Sequence, residues 1–169
     1  MNYFELFDIP VHLRVNTDLL SNKFFAMSRQ FHPDYFANEN DQVQAEALEK
    51  SALLNKAWKT FQNPNATIKY VLLEKGLLEE EEKYELPSDF LMEVLEINEA
   101  LMDADEGDDV MGLKSTIENL QSQIYEPVKK IVENYNDGVT TGKELLQVKE
   151  YYYKKKYLDR IRKQLAGMA

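Results

Sequence analysis

FFAMSRQFHPDYFAN, residues 24–38, holds a His-Pro-Asp triplet between two helix-like runs, and its reading decides the fold. Leu20, Phe24, Met27 and Phe31 recur at spacings of four, three and four, which is one apolar stripe on an amphipathic helix. Asn16 or Thr17 can cap its start, with Asp18 in the first turn, where the helix dipole favours an acid. Pro33 ends the helix at His32, because the residue before a proline is pushed out of the helical region and proline offers no N–H. After the loop DYFANEND a second long helix is expected from about Asp41 to Gln62. Its apolar positions read as Ala45, Leu48, Ala52, Asn55, Trp58 and Phe61, with Val43, Ala47, Leu54 and Ala57 beside them. Two long helices joined by about ten residues lie antiparallel, so the triplet sits at the corner of a helical hairpin.

Outward from the hairpin the pattern stays helical. Tyr3, Phe4, Leu6 and Phe7 give one apolar turn before Pro10, and ATIKYVLLEKG reads as a short helix that Pro64 separates from its predecessor and Gly76 ends. The acidic run EEEEKYE, residues 79–85, is a composition break and reads as a solvated linker. This gives an N-terminal unit at 1–76, a linker at 77–86 and a C-terminal unit at 87–169. In the last, one helix is expected from Pro87 and Ser88 to about Asp105, where DEGDD breaks it. A second is expected from Val110 to Tyr135, kinked at Pro127 and closed by NDG at 136–138, and a third from about Thr141 to Leu165. Short connections make this an up-down-up three-helix bundle. The expected fold class is all-α.

Composition narrows function. The 169 residues allow one moderate domain or two small ones, and 44% hydrophobic content is too apolar for a disordered chain. With no cysteine, this chain by itself forms no disulfide and supplies no thiolate to zinc or an iron–sulfur cluster; a cluster would sit on a partner. No segment reaches the roughly 18 apolar residues of a membrane span, and MNYFELFDIP lacks a basic targeting region. The expectation is a soluble, cytoplasmic monomer. The net charge of -10 falls unevenly: residues 1–75 hold 8 basic and 9 acidic residues, residues 76–169 hold 12 and 21. An acidic body repels phosphate backbones, which argues against nucleic acid as a partner.

His32 and Asp34 could form a catalytic pair, part of a metal site, a purely structural corner or a docking point. Nothing near them in the sequence supplies a nucleophile, a glycine-rich phosphate loop or a third metal ligand, and His12 is the only other histidine. A small hydrolase or metal enzyme built on these residues is the competing reading from a different class. Pro33 would hold the turn rigid and project His32 and Asp34 from a helix end, an arrangement suited to docking a partner.

The stretches YFELFDIP, FFAMSRQFHPDYFAN, SALLNKAWKTFQNP and IKYVLL together resemble a J-domain, whose His-Pro-Asp loop joins two antiparallel helices. With FLMEVLEINEAL and KKKYLDRIRKQL the likeness covers almost the whole chain and is to the HscB-type J-proteins of iron–sulfur cluster assembly. The resemblance implies a co-chaperone with no active site and no cofactor. Its J-domain would stimulate the ATPase of a DnaK/HscA-type chaperone, and its C-terminal bundle would bind and deliver an IscU-type scaffold protein. A J-domain co-chaperone serving another client is the alternative. Carried over by position, the chaperone-facing residues are His32, Pro33 and Asp34, with Lys23 and Arg29. Position 35 departs from the pattern: close members commonly have Lys there and this chain has Tyr35, which thins the basic surface.

FLMEVLEINEAL also has its own reading. At about 100° per residue, Phe90, Val94, Ile97 and Leu101 form a core stripe, while Met92, Leu95, Glu96, Glu99, Met102 and Asp103 fall on a second, mixed face. Leu91 and Leu95 could simply widen the core contact. Leu and Met flanked by carboxylates also suit an adaptable binding patch. The resemblance places scaffold contacts at Leu91, Met92, Leu95, Glu96, Glu99 and Asp103, and an aromatic one at Tyr157.

Overall fold

The computed structural model describes residues 1–104 and 108–168, which are helical with no strand among them. The chain divides into two compact units, Met1–Val71 and Leu72–Ala169. That division lies inside a helix, a few residues before the boundary expected at 76.

In the first unit α1 (Tyr3–Leu6) is held by a capping box: the Asn2 side chain accepts from the Glu5 N–H at 2.8 Å, and the Glu5 carboxylate accepts from the Asn2 N–H at 3.1 Å. The hairpin helices are α2 (Thr17–Gln30) and α3 (Asp41–Phe61), capped by Asn16 and Asn40, and α4 (Pro64–Glu74) follows. Phe24 stacks on Trp58 near one end of the hairpin and the Lys50 ammonium lies over the Phe31 ring near the other, so the helices run antiparallel. Phe4, Phe7 and Phe61 form an aromatic core with centroids 5.1–5.5 Å apart, and Tyr3 stacks on Tyr70 at 4.2 Å.

Two expectations change here. The α2 helix stops at Gln30 rather than His32, because Pro33 has no N–H with which to continue the ladder. The buried face of α3 is Ala47, Leu54, Ala57 and Phe61, while Ala45, Leu48, Ala52 and Asn55 are exposed. Both sets satisfy helical spacing. The face carrying Leu54, Trp58 and Phe61 holds the larger apolar area, and burial follows area.

The second unit is built from α5 (Ser88–Asp103), α6 (Asp108–Tyr125), α7 (Lys129–Glu133) and α8 (Gly142–Met168). Where one kinked helix was expected over 110–135, Pro127 interrupts it with a 3₁₀ turn at Glu126–Val128. The helix break expected at DEGDD falls partly on residues 105–107, outside the described residues. Phe90, Val94, Ile97 and Leu101 of α5 are buried, as the stripe required, together with Ile117 and Leu120 of α6 and Val148, Leu158 and Ile161 of α8. Thr141 and Glu144 close a capping box at the start of α8.

The acidic segment is not a solvated linker throughout. Leu78 and Leu86 are buried, Tyr84 stacks on Tyr153 of α8 at 4.5 Å, and Glu82 accepts from the Lys149 ammonium at 2.9 Å and the Tyr153 hydroxyl at 3.1 Å. Burial, followed by the bond to Glu82, pushes the Tyr153 phenol well above its ordinary range. Four glutamates in a row suggest a free strand, but the Leu and Tyr residues between and around them supply the contact area.

Lys75 and Tyr135 both donate to Asp137 in the α7–α8 turn, the tyrosine hydroxyl at 2.6 Å. The bond from Lys75, then that from Tyr135, holds the Asp137 carboxyl below the usual carboxylate range. A depressed folded-state pKa contributes stability above the unfolded value of about 3.9 and loses it as pH falls through the folded value. Asp137→Asn is therefore expected to flatten the acid limb of a melting-temperature profile below about pH 4 and to leave the difference from wild type constant above it. Identical acid limbs would contradict the linkage. The pair is well exposed, so the effect is small.

Candidate functional site

The hairpin corner is a fixed 3₁₀ turn over Pro33–Phe36 with His32 as its cap. His32 Nδ1 accepts from the Asp34 N–H at 3.3 Å. The Asp34 carboxylate lies 3.6 Å from the same nitrogen. Both side chains project into solvent, His32 51% and Asp34 90% exposed. No cluster of three or more His, Asp or Glu side chains that could hold a metal occurs among the described residues.

The corner is held from behind by α3. Besides the Lys50 contact with Phe31, 5.2 Å from ammonium to ring centroid, Gln44 donates to the carbonyls of Ala37 at 3.0 Å and Glu39 at 2.9 Å. The Asn40 side chain accepts from the Val43 N–H at 2.9 Å and starts α3 immediately after the loop. Rigidity here comes from Pro33 and from side chains that satisfy loop carbonyls, so the exposed groups are presented in one geometry.

The two cations expected beside the triplet have different surroundings. Lys23 donates to the Phe7 carbonyl at 2.9 Å, a C-terminal cap for α1 where the dipole favours a cation. Arg29 is exposed and its guanidinium has no partner among the described residues. The capping role of Lys23 could not be read from sequence, since it joins residues 16 apart.

On α5 none of the expected scaffold-facing residues belongs to the core. Leu91, Met92 and Leu95 are 41%, 60% and 52% exposed, Glu96, Glu99 and Asp103 are exposed, and Met102 extends the apolar part of the face. The surface is therefore a Leu-Met strip bordered by three carboxylates. Tyr157 of α8 is partly exposed beneath the Arg160 guanidinium, 5.7 Å from its ring centroid. Lys154 lies 5.5 Å from the Phe90 ring centroid, which brings the α8 turn ending at Tyr157 alongside the first turns of α5. Of its neighbours, Tyr151 and Tyr152 are buried and Tyr153 binds Glu82, which leaves Tyr157 as the most exposed of the four.

A family model described as the HSCB C-terminal oligomerisation domain matches residues 86–166. The chain is also similar to human co-chaperone protein HscB, with 26% identity and a TM-score of 0.83, over 98% of this chain and 81% of the human one. It shares the fold of chaperone HscB from Vibrio cholerae, with 24% identity and a TM-score of 0.78, over 98% of this chain and 96% of that one. The family model over residues 86–166, the likeness to human HscB over nearly the whole chain and the His-Pro-Asp corner on an antiparallel hairpin support an HscB-type co-chaperone.

Proposed function

We propose that the chain stimulates the ATPase of a DnaK/HscA-type chaperone through His32, Pro33, Asp34 and Arg29, and delivers to it an IscU-type scaffold protein held on α5. Leu91, Met92 and Leu95 supply the apolar contact to the scaffold. Glu96, Glu99 and Asp103 border it and select a partner with complementary cations, and Tyr157 flanks it from α8. Lys23, on the same helix as Arg29, joins the chaperone-facing residues while its ammonium also caps α1 through the Phe7 carbonyl. The protein acts as a cytoplasmic monomer without an active site of its own, its two docking surfaces lying on different units.

The observation that carries this reading is the pairing, in one chain, of a rigid exposed His-Pro-Asp corner with an exposed Leu-Met strip on α5. Met is flexible and polarisable, so a strip of this kind accommodates a protein surface rather than a small ligand. Pull-down with the IscU-type scaffold at micromolar protein is expected to retain it. Failure to retain it, with ATPase stimulation intact, would assign the strip to another client.

A further inference from the structure

The outward face of α2 carries more than the loop triplet accounts for. With Leu20, Phe24, Met27 and Phe31 facing inward, steps of about 100° place Phe25 and Arg29 on the opposite pole, one turn apart. The helix ends at Gln30, two residues before His32, so this face leads along the chain into the corner. Phe25 is 58% exposed and Tyr35, on the corner itself, 73%. A single exposed aromatic side chain is ordinary. An exposed aromatic on α2 together with an unpaired arginine, and a second exposed aromatic on the turn that follows, have the composition of an interface core, where aromatic residues and Arg are enriched and Lys is depleted.

Charge does not explain the surface. The Lys23 ammonium is engaged by the Phe7 carbonyl, and position 35 is an aromatic residue, so Arg29 is the one α2 cation without a protein partner among the described residues. The exposed Lys23 and Arg29 give a modest attraction that salt screens. Burying a phenylalanine side chain contributes more and is insensitive to moderate salt.

We propose that this protein docks its ATPase chaperone chiefly through an aromatic contact, with Phe25 and Tyr35 entering apolar depressions on the chaperone and Arg29 bonding a carboxylate between them. The occupant is argued from continuity, because the α2 face carrying Phe25 and Arg29 runs along the chain directly into the His-Pro-Asp corner, and the inference rests on the assignment of that corner to the chaperone. Its consequence is a docking step that tolerates salt.

The test is titration of the full-length protein into the host DnaK/HscA-type chaperone, with ATPase activity normalised to the chaperone alone at each salt concentration. Between about 0.1 M and 1 M ionic strength, over which the Debye length falls from about 10 to 3 Å, the half-maximal concentration is expected to change less than about threefold. Phe25→Ala is expected to raise it about ten- to a hundredfold with no change in melting temperature, and Tyr35→Ala by a smaller factor. Phe25→Lys is expected to dock measurably at the low salt only. A steep salt dependence in the wild type overturns the proposal. So does an unchanged half-maximal concentration in both alanine variants while Asp34→Ala abolishes stimulation. If Asp34→Ala also has no effect, it is the assignment of the corner that fails.

Discussion

Asp34→Ala is expected to abolish stimulation of the partner chaperone's ATPase while the protein stays folded and still binds its scaffold. The Asp34 carboxylate is 90% exposed, and the bond that closes the turn uses its backbone N–H, which alanine keeps. Surface substitutions of this kind change stability by less than about 0.5 kcal/mol, so the melting temperature should hold. Losing one partner of a charge-assisted contact that becomes buried on docking costs roughly 2–5 kcal/mol. That corresponds to more than about thirtyfold in half-maximal concentration. The carboxylate is effective because Pro33 and the α3 side chains have already fixed the turn, so little ordering entropy opposes docking. Unchanged stimulation by this variant would remove the docking role from the corner.

The double variant Leu91→Ala, Leu95→Ala is expected to weaken scaffold binding about ten- to a hundredfold, as measured by titration calorimetry. Each leucine is about half exposed in the free protein, so a partner covers about half of a side chain whose full burial is worth roughly 1.5–3 kcal/mol. Phe90, Val94, Ile97 and Leu101 form the core side of α5 and are untouched by these changes. The melting temperature should therefore fall by no more than a few degrees. A fall of tens of degrees, with binding lost only through unfolding, would place both leucines in the core.

What the sequence made legible follows from how local each signal is. The hairpin was readable because Pro33 and the 20-24-27-31 stripe act over one or two turns, and the α5 core stripe because Phe90, Val94, Ile97 and Leu101 share a face without a carboxylate, unlike the Leu-Met face beside it. The α3 face was misread because two stripes, Ala45-Leu48-Ala52-Asn55 and Ala47-Leu54-Ala57-Phe61, both satisfy the helical period, and only the partner helices choose between them. The strap at Glu82 was read as solvated because its anchors, Lys149 and Tyr153, lie 67 and 71 residues away. Among the site residues, the triplet and the α5 strip emerged from spacing and resemblance. The capping of α1 by Lys23 did not, since a lysine's partner is set by tertiary geometry.

The most direct test of the whole account is a single ATPase assay of the host DnaK/HscA-type chaperone with this protein, with and without the IscU-type scaffold. The account predicts stimulation by the protein alone, a further increase when the scaffold is added, and loss of that increase alone in the Leu91→Ala, Leu95→Ala variant. An ATPase rate that stays at its basal value in the presence of the folded wild-type protein, with or without scaffold, would contradict it.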